Sequence, residues 1–260
     1  WSWWRYTNGN NTGIRIMGIF QNNLLAGAGG QAGGGAAAFY DYQIEQSARF
    51  ENANDTYLGR TTSFSAVSTF TFSTWLKRGA VDENYKFFMM FKSNQGLGFA
   101  DTNAITILNG SSHALGSALF RDIGGWMHIV LKSSSGTGVL YVNGTQFHSN
   151  TGMSFHGGSG SGAIRVGNYG GSGNGFSGYL AETVMIDGTA YDPTTFAETK
   201  NGVWVPKDFS SSVTFGSQGF YLKYENASDL GNDSSGNNND YTANNMGADH
   251  QVLDSPTFGS

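Results

Sequence analysis

Residues 125–146 read GWMHIVLKSSSGTGVLYVNGTQ. Within them Trp126–Lys132 and Gly138–Asn143 are short runs of apolar and β-branched residues separated by Ser and Gly. Asn143-Gly144 then closes the second run. A two-residue type I′ hairpin needs positive φ at both central positions, which Asn and Gly tolerate, so this stretch predicts antiparallel strands joined by tight turns. The same pattern continues outward in both directions, through Ser68–Arg78 (STFTFSTWLKR), Tyr85–Lys92 (YKFFMMFK), Ala163–Gly167, Tyr179–Ile186 and Gly219–Tyr224. Asn109-Gly110 is a weaker copy of the hairpin signal. The one helical signal is a single turn over Asp192–Thr199, with Asp192 as N-cap and Pro193 at the first helical position. From Tyr40 onward this spacing predicts an all-β sandwich or barrel.

Composition supports that reading by exclusion. The chain has 260 residues, 39 of them glycine, with three prolines and no cysteine. Glycine costs about 1 kcal/mol per helical position relative to alanine, which excludes long helical bundles, and it has no three-residue period, which excludes collagen. With 14% aromatic and 38% hydrophobic residues the chain carries enough apolar surface to order itself. The lack of cysteine removes thiol catalysis, thiolate zinc sites and disulfide scaffolds without fixing the compartment. A net charge of -5 with no cluster of Lys and Arg argues against nucleic acid as a partner. No run reaches the length that crosses a membrane as a helix.

Residues 1–39 differ in character from the rest of the chain. They hold an aromatic cluster, Trp1, Trp3, Trp4 and Tyr6, and a Gly/Ala-rich stretch. They read as an arm ahead of a jelly-roll domain at 40–260. The arm either docks on a neighbouring subunit or packs back on its own domain. A secretory leader, with Arg5 and Arg15 ahead of Ile16–Phe20 and Ala36–Ala38 as cleavage site, is the alternative, and Gln21, Asn22 and Asn23 interrupt it.

Several of these segments carry a resemblance. YQIEQSARFENANDTYLGRT at 42–61, FTFSTWLKRG at 70–79, the 125–146 stretch, GYLAETVMIDGTAYDPTTFAET at 178–199, GVWVPKDF at 202–209 and DLGNDSSGNNND at 229–240 together resemble a laminin-G-like domain of the concanavalin A-like lectin/glucanase superfamily. The resemblance implies a two-sheet antiparallel jelly roll. The segments at 186–199 and 202–209, and MGIFQNNLLAGAG at 17–29, further resemble tail-fibre and other virion structural proteins of tailed, often marine, bacteriophages.

The chemistry motifs of that superfamily's glycosidases are missing. Retaining cleavage needs two carboxylates about 5 Å apart, which an E-x-D-x-x-E strand supplies by aiming alternate side chains at one cleft, and no such triple occurs. Glu182 shares an alternating face with Gly178, Leu180, Val184 and Ile186; it reads either as a general acid or, preferred here, as a hydrogen-bonded buried carboxylate. Asp187 falls on the opposite face of an unbulged strand. His128 reads as a satisfied core histidine ahead of an acid-base partner. The glycine runs at 157–162 and 170–175 lack the Lys-Ser/Thr and helix of a phosphate loop and read as loops at one end of the sandwich.

These features predict a non-enzymatic protein. The resemblance implies a virion structural protein, in a tail fibre, head fibre or capsid decoration, contacting other virion proteins through its arm and assembling as a homo-oligomer, a trimer by preference. Host-surface glycan binding would use the loop residues Phe155, His156, Tyr169 and Phe176, which supply the rings and polar groups that sugars need. Asp229, Asp233, Asn237 and Asp240 concentrate oxygen ligands suited to calcium, against the reading of an Asn/Gly turn bonding its own backbone. The alternatives are a secreted lectin or matrix domain of a cellular organism and, last, a glycoside hydrolase.

Overall fold

The structure is a computed structural model that describes residues 39–62, 65–81, 85–92, 94–109, 111–114, 118–154, 164–170 and 173–257. The predicted arm before Phe39, Phe155, His156, Gly110 and the glycine run at 157–162 lie outside the described residues. In chain order the strands are β1 (Ser47–Phe50), β2 (Tyr57–Arg60), β3 (Phe70–Arg78), β4 (Lys86–Lys92), β5 (Gln95–Phe99), β6 (Ile105–Asn109), β7 (Ser111–Ala114), β8 (Trp126–Ser134) and β9 (Thr137–Val142). They continue as β10 (Thr145–Thr151), β11 (Ile164–Val166), β12 (Gly178–Asp187), β13 (Ala197–Lys200), β14 (Val203–Pro206), β15 (Phe220–Leu222), β16 (Thr242–Asn244) and β17 (Gln251–Val252).

Two antiparallel sheets form the sandwich. The first runs β10-β9-β8-β3-β12-β1-β17, with β15 also on β12; the second runs β16-β2-β11-β4-β5-β6-β7. β8, β9 and β10 follow the predicted meander, and Asn143 and Gly144 adopt φ values of 47° and 75°, the left-handed pair that a type I′ turn requires. Between the sheets lie Phe70, Phe72 and Leu76 of β3, Phe88 and Phe91 of β4, Leu97 and Phe99 of β5, and Leu131 and Leu140 of β8 and β9. Each such side chain contributes about 1.5–3 kcal/mol by leaving water.

The alternate residues of β3 should meet solvent in a simple sandwich, but Thr71, Ser73 and Trp75 are buried as well. The segment from Gly188 through Phe209 folds back over the outer face of the first sheet, carrying the hairpin β13-β14. Phe196 and Phe209 pack there against Val130, Val184, Ile186 and Tyr221; Ala197 and Trp204 pack against Ile44, Trp75 and Ala181. The predicted helical turn at Asp192–Thr199 is shorter than expected. Only Pro193–Thr195 is helical, as a 3-10 turn, and Asp192 makes no side-chain cap because Lys132 engages its carboxylate. The chain then extends into β13, since Ala197 and Phe196 have an apolar face to cover.

Candidate functional site

The covering layer stops short of one end of the first sheet. The register places Trp126 opposite Lys77, Lys77 opposite Tyr179 and Tyr179 opposite Arg49, one residue from each of β8, β3, β12 and β1. Directly opposed residues share a face, and three strand spacings make the row about 14 Å long. All four side chains are partly exposed. Lys77 Nζ stands 5.5 Å from the centre of the Tyr179 ring, and the Trp126 and Tyr179 rings are 6.5 Å apart and inclined at 55°. Asp254, just beyond β17, accepts from Trp126 Nε1 at 3.0 Å through one carboxylate oxygen and from Lys77 Nζ at 2.5 Å through the other. Rings and cation are thereby held in place.

At the Arg49 end the row opens into a cleft of about 390 Å³ whose walls include Arg49, Glu51, Asn52, Asn54, Ser177 and Tyr179. Arg49 Nη2 lies 3.1 Å from Glu51 Oε1, while Asn54 Nδ2 donates to Glu51 Oε2 at 2.5 Å. A 3-10 turn, Asn52–Asn54, shapes the wall and ends on Asp55 in the left-handed region at φ 52°. Gly178 borders the cleft at φ +154°, where an added Cβ would lie 2.3 Å from the Lys77 carbonyl oxygen and 2.5 Å from the Phe176 ring, so only glycine keeps this approach between β12 and β3.

Two residues inward along the same strands the chemistry is closed. His128 is opposite Trp75 and Trp75 opposite Ala181, all buried. Trp204 Nε1, which can only donate, lies 3.1 Å from His128 Nδ1, so His128 carries its proton on Nε2 and donates it to Ser73 Oγ at 2.9 Å. Burial pushes the imidazole pKa down to about 3. A neutral ring whose acceptor nitrogen is occupied cannot activate Ser73, and His128 is the satisfied core histidine the sequence suggested.

Glu182 required a correction. A β-bulge lies between Ala181 and Val184, and Glu182 itself sits at φ 47°. The bulge falls where the far edge of β12 changes partner, from β1 at 178–180 to β15 at 183–185. It also breaks the alternation assumed from the sequence: Leu180 faces the inter-sheet core, whereas Val184 and Ile186 face the covering layer. Glu182 is 5% exposed and accepts hydrogen bonds from Tyr42 Oη, in the stretch leading to β1, and from Tyr221 Oη of β15 at 2.5 Å. Burial raises its pKa to about 7, partly offset by those two donors. The carboxyl clasps two strand ends together.

The remaining predicted residues divide. Phe176 is 1% exposed and packs between Phe88 and Phe99 in the core, so it presents no surface to a ligand. Its neighbours Gly175 and Gly178 gave the segment the look of a loop tip. Tyr169 is partly exposed, lies 4.7 Å from the Phe87 ring and shares hydrogen bonds with Asn94 between β4 and β5, and it is not among the residues that line the cleft. In the acidic loop the Asp233 carboxylate accepts from the backbone of Tyr221, Ser235 and Asn239 and from Ser235 Oγ, and Asp240 accepts from the backbone of Asp233. Asn237 donates to the carbonyls of Gly216 and Gly219, while Asp229 donates its backbone N–H to the Asn226 carbonyl. Among the described residues no group of three or more His, Cys, Asp or Glu is placed to hold a metal ion. The loop's side chains are engaged by its own backbone and by that of residues 216–221.

Sequence reasoning missed the open row. The outward alternation Thr71, Ser73, Trp75, Lys77 was legible in β3, but the pairing that sets Trp126, Tyr179 and Arg49 beside Lys77 depends on strand order and register, which periodicity does not give.

The family model for the concanavalin A-like lectin/glucanases superfamily matches residues 50–192. No curated protein matches the chain. Among solved structures, the chain is similar to a protein of Bacteroides ovatus provisionally described as carbohydrate-binding, with a TM-score of 0.59 at 16% identity over 79% of this chain and 61% of that one. It thus spans about three-fifths of that protein's length. Weaker likenesses are to the heptameric SAP-like pentraxin of Limulus polyphemus (TM-score 0.43, 18% identity, 58% of this chain and 79% of that one). Another is to domain 4 of the GH43 extracellular arabinanase AbnA of Geobacillus stearothermophilus, solved with arabinotriose (TM-score 0.45, 16% identity, 61% and 78%). The family match takes in more than half of the sequence and includes the strands β2, β3, β8 and β12 of the sandwich, and the chain belongs to the concanavalin A-like lectin/glucanases superfamily.

Proposed function

We propose that this chain is a carbohydrate-binding domain that holds a glycan on the Trp126–Lys77–Tyr179–Arg49 row and in the adjoining cleft without cleaving it. The observation that carries the reading is the open row itself: two partly exposed rings and two cations set in register on one face of the first sheet. Sugar C–H faces pack on aromatic rings, and hydroxyls take hydrogen bonds from fixed polar groups beside them. The similarity to the Bacteroides protein provisionally described as carbohydrate-binding agrees with this reading. The position of Glu182 supports binding without cleavage: it is buried and engaged by Tyr42 and Tyr221, and it is not among the residues that line the cleft. Display on a bacteriophage particle is the setting that the segments at 186–199 and 202–209 suggest; a secreted lectin uses the same row equally well, and binding does not depend on the choice.

The test is a glycan array followed by calorimetry on the best ligand. Tyr179→Ala should weaken binding at least tenfold with the melting temperature within a few degrees of the parent. An array without hits, or unchanged affinity in the variant, would remove the proposal, and sugar release abolished by Glu182→Gln would replace it with an enzyme.

A further inference from the structure

The hydrogen-bonding inventory of the row is lopsided. Both oxygens of Asp254 are engaged, one by Trp126 Nε1 and one by Lys77 Nζ. Both oxygens of Glu51 are engaged, by Arg49 Nη2 and Asn54 Nδ2. Each oxygen keeps one lone pair, but each carboxylate is already held by a cation, and the donors left on Arg49 and Lys77 outnumber the lone pairs left on Glu51 and Asp254. Lys77 has three N–H groups, one of them directed to Asp254. Arg49 has five, with Nη2 directed to Glu51, and its Nε is buried in the structure with no acceptor. Arg49 borders the cleft with its side chain 37% exposed, and Lys77, beside it across Tyr179, keeps 18% of its side chain exposed. A neutral sugar hydroxyl both donates and accepts, and suits a site with free acceptors as well as free donors. A carboxylate or sulfate only accepts, and a guanidinium can meet it with two parallel N–H groups.

We infer that the glycan held on this row is an acidic one, carrying a carboxylate or sulfate that takes the unengaged donors of Arg49 and Lys77 while its ring packs on Tyr179. The inference rests on the glycan-binding reading above. The formal charges of Arg49, Lys77, Glu51 and Asp254 cancel, so selectivity comes from local donor geometry and not from a basic field, in keeping with a chain of net charge -5.

The experiment compares matched pairs by calorimetry on the full chain. One arm sets oligogalacturonate against its carboxyl-reduced counterpart; the other sets a heparin oligosaccharide against the same oligosaccharide after desulfation. The expected result is at least tenfold tighter binding of the anionic member in one arm, which also tells carboxylate from sulfate. Arg49→Gln should cut that ratio to about threefold or less, and Arg49→Lys, which keeps the charge and loses the fork, should lower it as well. Lys77→Gln serves as an independent variant if Arg49→Gln fails to fold. Equal or tighter binding of the neutral members overturns the inference and leaves the glycan-binding reading standing. Binding of neither member in either arm overturns the inference too, and the array then decides the fate of the broader reading. A preference that survives both Arg49→Gln and Lys77→Gln also overturns it.

Discussion

Two rows on one face of one sheet, two residues apart along the same strands, have opposite fates. The inner row, His128, Trp75 and Ala181, is sealed by Trp204, and both ring nitrogens of His128 are paired. The outer row, Trp126, Lys77, Tyr179 and Arg49, has the same strands beneath it but stays partly exposed, and Arg49 Nε has no acceptor. The difference lies in the reach of the β13-β14 hairpin. Whether a stretch of this sheet face is core or open is thus decided by the covering segment and not by the sandwich.

The strongest way to break that contrast is to lift the cover. Trp204→Ala should cost about 3 kcal/mol of unfolding free energy in urea, since a large ring over a buried cluster is lost and His128 Nδ1 loses its donor. By NMR the His128 imidazole should then titrate well above its present value of about 3, toward the ordinary value of 6.5.

Glu182 and His128, both buried under the cover, supply a pH test of comparable size. Glu182 has a folded pKa of about 7 against 4.5 for the free group, so its contribution is complete below pH 4.5 and is lost as pH rises through 7. His128 has a folded pKa of about 3 against 6.5, so its contribution is complete above pH 6.5 and is lost as pH falls toward 3. Between 4.5 and 6.5 the two slopes, each about 1.4 kcal/mol per pH unit at most, oppose one another. The parent should therefore show a nearly level stability there and a decline above pH 6.5. Glu182→Gln should remove the decline and leave a curve that rises to pH 6.5 and then stays level; urea midpoints at pH 4.5, 5.5, 6.5 and 8 check it.

Tyr42→Phe removes one of the two hydroxyls that Glu182 accepts, and should cost about 1 kcal/mol in the same assay at pH 6. At the open end of the comparison, Arg49→Ala should change stability by less than about 1 kcal/mol, because its pair with Glu51 is exposed, even while glycan affinity falls.

Much of the sandwich was legible because its strands advertise themselves. FTFSTWLKR alternates, YKFFMMFK is apolar enough to be buried on both faces, and Asn143-Gly144 fixes a turn by backbone conformation alone. Short strands such as β1, β16 and β17 went unread because two to four residues carry no period. Glu182 was recognised as a buried carboxylate, but the bulge that turns it toward Tyr42 and Tyr221 adds one residue to a regular pattern and leaves no local signature. Phe176 was misjudged because its glycine neighbours were read as loop chemistry when they serve close packing. The open row lies beyond local reading altogether, since Arg49 and Trp126 come to one row from positions 77 residues apart in the chain.

The Glu182 clasp also sets an order of events in folding. Its partners lie 140 residues before it and 39 after it, and Ile44 donates to Thr257 across 213 residues. Contacts of such span form late, because the long loops they close must first lose their freedom. On a ribosome β1 would wait, unpaired on its β17 side, until residues 251–252 had emerged. That makes β1 an exposed edge during synthesis, and the interval before closure is when this protein is most open to aggregation.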